Sequence, residues 1–177
     1  MDYEINKETL IIVPKSETKK CLIMESSDTY DIKNSVSNII KHSCEYFGSS
    51  YEGRNIGTYK LLGIRHKSPI IIEESNNIIF FPTESPKNDS CYWVSFNNIA
   101  TFFENREKKN TIVEFKNGQK IEIPISFHSF SNQYLRASKL KAVISSRKTE
   151  KIMTRAIESV EQICNITELV EKSSRLE

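Results

Sequence analysis

The dipeptide Asn117-Gly118 limits what this chain can become more than any other feature. Both residues accept the positive φ of tight hairpins, and apolar residues alternate on either side, so the segment predicts two antiparallel strands joined by a short turn. Side-chain pairing decides the register. A two-residue loop sets Glu114 opposite Ile121 and Phe115 opposite Lys120, which mixes the faces. A three-residue loop of Lys116-Asn117-Gly118 sets Val113 opposite Ile121 and Glu114 opposite Lys120. Apolar then meets apolar and opposite charges pair, so the expected connection is a type I turn with a glycine bulge. Pro124 ends the second strand.

Other segments extend the β reading. Leu10-Ile11-Ile12-Val13, stopped by Pro14, and Cys21-Leu22-Ile23-Met24 are expected strands, with polar connectors at 6–9 and 15–19. Pro69–Ile72 and Ile78–Phe81 flank the polar run 73–77 and predict a second hairpin. Tyr59–Ile64 and Cys91–Phe96 read as further strands, and Asn98–Asn105 as a short helix with Ile99, Phe102 and Phe103 on one side. Residues 35–46 predict a helix, because Val36, Ile39, Ile40 and Cys44 recur at spacings of three and four. Ser35 suits its N-cap and Gly48 its stop. From 129 on the period is helical: Tyr134, Ala137, Leu140 and Val143-Ile144 mark one stretch, and Ile152, Ala156, Val160, Ile163 and Val170 a second, with a break at Ser145-Ser146. The expectation is one α+β domain over 1–177. Its first two-thirds hold a mixed, mostly antiparallel sheet, β-rich over 1–128 with one helix near 35–46, and its last third is helical over 129–173.

Composition sets the outer limits. With 38% apolar and 27% charged residues, 177 residues suffice for one core, which excludes wholesale disorder. No run of 18 apolar residues exists, and Met1–Asn6 has no basic stretch followed by an apolar one. The expectation is a cytoplasmic protein with no membrane partner. Cysteines at 21, 44, 91 and 164 form no Cys-x-x-Cys pair, so reduced thiols are expected, and neither metal nor cofactor. Leu176-Glu177 is given no function.

Charge and glycine are both unevenly spread. Residues 136–155 carry Arg136, Lys139, Lys141, Arg147, Lys148, Lys151 and Arg155 against Glu150 alone, whereas the whole chain is only +2. Three of the five glycines fall between 48 and 57, which reads as a loop that turns tightly or approaches something closely.

An ordered set of short strings then points to a family. Cys44-Glu45-Tyr46-Phe47-Gly48-Ser49-Ser50-Tyr51-Glu52-Gly53-Arg54 resembles the signature segment of ComK, the competence transcription factors of low-GC Gram-positive bacteria. Gly57-Thr58-Tyr59, His66-Lys67-x-Pro69-Ile70, Phe81-Pro82-Thr83, Cys91-x-Trp93, Asn117-Gly118, Ile123–Ser126 and Ser129-Phe130-x-Asn132-Gln133 follow in family order. The resemblance runs from about 40 to 140. It implies a homo-oligomeric (dimer or tetramer) activator of DNA-uptake genes. Such an activator reads paired A-run and T-run boxes of AT-rich double-stranded DNA through the minor groove, works with RNA polymerase, and is delivered by a MecA-type adaptor to a Clp protease.

The contact residues come from physics instead. Cations at phosphates supply most DNA affinity, so Arg136, Lys139, Arg147, Lys148 and Lys151 are candidates from the basic run. An A-tract's narrow minor groove attracts arginine, so Arg54 in the glycine segment is a candidate, with Ser49 and Ser50 for phosphate or sugar. The alternative is a structural turn with Arg54 paired to an acid. Arg65 and Lys67 flank the segment and complete the set. A helix-turn-helix lacks its glycine-containing turn at 145–148. Trp93, Phe80, Phe81, Phe102 and Phe103 fit a core better than base stacking. Two rival classes remain. One is an interaction module without DNA binding. The other is a phosphate-handling enzyme using the Gly48–Gly57 segment, although no Gly-Lys-Ser/Thr follows, or a Cys–His pair drawn from Cys44, His66 and His128.

Overall fold

The structure is a computed structural model that describes residues 3–15 and 20–174, with side chains through 162. The connector at 16–19, the terminal Leu176-Glu177 and the side chains of Ile163, Cys164 and Val170 lie outside the described residues.

Strand β1 (Thr9–Lys15) pairs antiparallel with β2 (Lys20–Glu25), and β2 with β3 (Thr29–Ile32). Helices α1 (Val36–Tyr46) and α2 (Tyr51–Leu62) follow. Then come β4 (Ile70–Glu73), β5 (Ile78–Pro82) and β6 (Trp93–Ser95), whose pairing to β1 closes a sheet ordered β3-β2-β1-β6-β5-β4. A second sheet holds β7 (Ile99–Asn105), β8 (Asn110–Phe115) and β9 (Lys120–Ile123) in chain order. Helix α3 runs over Phe127–Ser174. The fold is α+β, with antiparallel sheets in the first two-thirds and a long C-terminal helix. It divides into two compact units, 1–141 and 142–177.

The apolar stripe of α1 is buried as its spacing requires: Ile39, Ile40 and Cys44 meet Ile12, Ile23, Phe80 and Trp93 in one cluster. Ser35 caps the helix, its side chain accepting from the Asn38 N–H at 3.2 Å. Gly48 ends it at φ 73, where a side chain would be strained. The hairpin register also holds, with Val113 opposite Ile121, Glu114 opposite Lys120 and Gly118 at φ 85.

Five expectations are corrected. Pro14 does not stop β1, which continues to Lys15. Pairing to β6 ends at Ile12, so Pro14 sits where the strand has one neighbour and a missing N–H costs little. Only 47–50 of the glycine segment turns; from Tyr51 on it is helix, and the expected strand Tyr59–Ile64 is absent because Tyr59–Leu62 completes the same helix, α2. Ser50 caps that helix by accepting from the Gly53 N–H at 3.0 Å, and Gly63 closes it at φ 70. Two end signals outweigh interior glycines that cost about 1 kcal/mol each. Residues 99–105 form β7, not a helix. Alternation turns Phe102 inward against Phe127, Phe130 and Tyr134, with ring centroids 4.9–5.5 Å apart, and leaves Phe103 exposed. Finally, Ser145-Ser146 does not break α3. Serine is a tolerable helix residue, and neither Gly nor Pro occurs after Pro124.

Candidate nucleic-acid interface

In unit 1–141 the end of α2 leads through Gly63 into a basic turn, Arg65-His66-Lys67, all three exposed. Arg65 lies over the Tyr59 ring, its Cζ 4.9 Å from the centroid, and its Nη2 donates to the Tyr59 hydroxyl at 2.7 Å. Lys67 adopts φ 51, a left-handed conformation that costs a lysine about 1 kcal/mol. Something must therefore hold the turn.

Gln133 holds it from beneath. This side chain is 4% exposed. Its amide donates to the Lys67 carbonyl at 2.8 Å and to the Pro82 carbonyl at 2.7 Å, which ties the turn to the end of β5. Its oxygen accepts from Arg136 Nη1 at 2.9 Å, and the same nitrogen donates to the His66 carbonyl at 3.0 Å. Two residues one turn apart at the start of α3 thus satisfy three carbonyls of neighbouring segments.

The turn forms one wall of a cleft of about 670 Å³, to which α1 adds Lys41 and the 85–89 segment adds Lys87. Four full positive charges, with His66 a further base, face two carboxylates there, Glu52 and Asp89. Confined like charges raise the local potential and attract anions.

The expected contact residues fall into separate places. Arg65 and Lys67 share the cleft. Arg136 engages the turn's backbone, and Lys139 is exposed on the next turn of α3. Arg54 lies on α2 with its side chain 13% exposed, and its Nη1 donates to Glu74 Oε1 at 2.9 Å. Arg54 is thus paired to an acid, the structural alternative to a groove contact, although its buried Nε has no hydrogen-bond partner. Ser50 is the α2 cap, and Ser49 donates its N–H to the Cys44 carbonyl at 3.0 Å. Arg147 and Lys151 are exposed in unit 142–177, close to Arg155 but also to Glu150 and Glu158, and Lys148 is half-buried. The basic run is therefore divided between the two units.

Lys41, Lys87 and the Gln133 brace were not expected from sequence as parts of a site. Lys41 and Lys87 lie 24 and 20 residues from the turn in opposite directions, so no local spacing announces them. Cys44, a candidate nucleophile for the enzyme alternative, is buried, and burial pushes its thiol up to about 11.

The α2 glycines have no internal reason to be glycine at Gly57: it sits in helix with negative φ, and an added Cβ would meet nothing within 4 Å. We expect Gly57→Ala to stabilise the protein by about 0.5–1 kcal/mol, read as a higher urea midpoint. A destabilised variant would mean that the open space is filled. A methyl that stabilises the free chain yet weakens duplex binding would place α2 against DNA.

Among the described residues no helix is long and apolar enough to cross a membrane. The ComK protein family model matches residues 1–150, more of the N-terminus than the strings from 40 to 140 indicated. The chain is 37% identical over 147 residues to the competence transcription factor of Bacillus subtilis (strain 168), covering 82% of this chain and 76% of that protein. No solved structure matches. With a family match across most of its length and a curated relative at this identity, the chain belongs to the ComK protein family.

Proposed function

We propose that this chain is a DNA-binding activator of competence (DNA-uptake) gene transcription, acting in the cytoplasm as a homo-oligomer at AT-rich paired boxes and not as an enzyme. The observation that carries the DNA contact is the convergence of Arg65, Lys67, Lys41 and Lys87 from three separate segments of one unit, within a family whose relative is a transcription factor. Exposed cations suit duplex phosphates; Lys139 adds one in the same unit, and Arg147, Lys148 and Lys151 are further candidates on unit 142–177. Arg54 reaches a minor groove only by leaving Glu74, an exchange that its unpartnered Nε favours. Ser49 and Ser50 flank the start of α2, where backbone N–H groups suit phosphate.

Self-association rests on a different surface. Ile152, Met153, Ile157 and Val160 are 59–66% exposed and recur at helical spacing on α3. A helix that leaves such a stripe in water gains by pairing with a second copy, and paired boxes call for at least two subunits. RNA polymerase and a MecA-type adaptor with its Clp protease complete the reading as partners.

Fluorescence anisotropy on two labelled duplexes of equal length tests it. We expect tighter binding to a duplex with paired A-run and T-run boxes than to a GC-rich one, each weakening as salt rises. Equal affinity would reduce the activity to a non-specific basic surface. Folded protein that binds neither duplex would remove the DNA reading and favour a protein-interaction module built on the α3 stripe.

A further inference from the structure

The cleft is deeper in chemistry than a duplex can use. Its lining also includes the half-buried Tyr51, whose ring stands edge-on at 6.2 Å to the indole of Trp93, and Ile40; Trp93 itself is 2% exposed and backs Tyr51 from the core. A duplex presents a convex surface of phosphates, so it can rest on the exposed cations and leave the buried apolar side chains uncovered. The volume of about 670 Å³ lies within the ~300–1,000 Å³ of small-ligand sites.

Three features together define the occupant. Cations from α1, the 65–67 turn and the 85–89 segment ask for an anion of several charges. The aromatic and aliphatic floor asks for a flat apolar group, which bare phosphate lacks. Glu52 and Asp89 repel a simple polyanion but accept from hydroxyl and amino groups, and Asn55 adds an amide able to donate and accept. The brace through Gln133 and Arg136 presets the turn, so binding need not order it.

We infer that this cleft is a binding site for a nucleoside polyphosphate, with the base against Tyr51, which Trp93 backs, and the phosphates on Arg65, Lys67, Lys41 and Lys87. Arg65 and Lys67 also belong to the proposed DNA contact, and on that reading the nucleotide and the duplex compete. Cleft occupancy then sets how much protein is free to bind promoters.

Trp93 is the chain's single tryptophan, so its emission reports on the cleft directly. The full chain is titrated with ATP, adenosine and inorganic triphosphate, following emission excited at the red edge and, in parallel, heat. ATP is expected to bind at least about tenfold tighter than either fragment, because only ATP meets both halves of the site. The exposed substitutions Arg65→Gln and Lys87→Ala leave the core untouched, and each is expected to weaken ATP about fivefold to tenfold. Absence of any signal at millimolar ATP would overturn the inference, as would inorganic triphosphate binding as tightly as ATP, or both variants binding ATP normally. A labelled AT-rich duplex is titrated separately. Duplex binding without ATP binding removes this inference alone, and ATP binding without duplex binding removes the proposed function alone. Where both bind, saturating ATP is expected to weaken the duplex severalfold, and unchanged duplex affinity would refute the shared site.

Discussion

Neutralising the basic turn with Arg65→Gln and Lys67→Asn is expected to weaken binding to every duplex, AT-rich or not, by about thirtyfold. Each exposed cation at a phosphate contributes about 1 kcal/mol, and about 2 kcal/mol together is somewhat more than one decade in affinity. Asparagine is chosen at 67 because it tolerates the left-handed backbone that Lys67 adopts at φ 51, so charge is removed without added strain. The same pair lowers the slope of log affinity against log salt by about two, since two fewer counterions are released. Arg147→Gln with Lys151→Gln serves as the comparison from the other unit. If the turn variant keeps wild-type affinity and slope while the α3 variant loses both, the contact lies on unit 142–177 and the cleft is not the DNA surface. A turn variant that loses preference for A and T runs but not affinity would move the turn from phosphates to base edges.

What could be read in advance differed by the range of the forces involved. The Lys116–Gly118 turn was legible because its register follows from four neighbouring side chains and a residue that accepts positive φ. Helix α1 was legible because its cap, its stripe and its stop are all local. Helix α2 is not legible in the same way, because glycines at 53 and 57 mask its two end signals, Ser50 and Gly63. Strand β7 misled for another reason. Phe102 and Phe103 suit a helix face as well as a strand, and only the packing of Phe102 against the start of α3 separates the two. The site divides along the same line. Arg65 and Lys67 were visible as a basic string, while Lys41 and Lys87 join them only through the fold. Arg54 is conspicuous in the sequence for its charge, but Glu74, twenty residues on, reaches it across space.

The brace under the turn gives the largest expected loss of stability. Gln133→Leu keeps the volume and apolar fit of a buried helix position but removes three hydrogen bonds at once. The Lys67 and Pro82 carbonyls lose their side-chain donor, and Arg136 Nη1 loses one of its two acceptors. Leaving buried acceptors unsatisfied costs about 1–3 kcal/mol each, so a loss of about 3 kcal/mol overall is expected, or roughly 10 °C in Tm for a chain of this size. Gln133→Glu offers no rescue, because a carboxylate would set oxygen against both carbonyls. Arg136→Met is expected to be milder, since it removes only the tie to the His66 carbonyl and one bond to Gln133. The decisive readout is the salt slope of duplex binding, measured below the melting range. Gln133 carries no charge, so its loss should lower affinity by loosening the turn while the slope stays near the wild-type value. A slope that falls by one or more would mean that cations had left the interface with it, and the residue would then anchor the whole basic wall. A leucine variant as stable as the parent would show that Lys67 holds its left-handed backbone without the brace, and the turn's geometry would have to be charged to its own sequence.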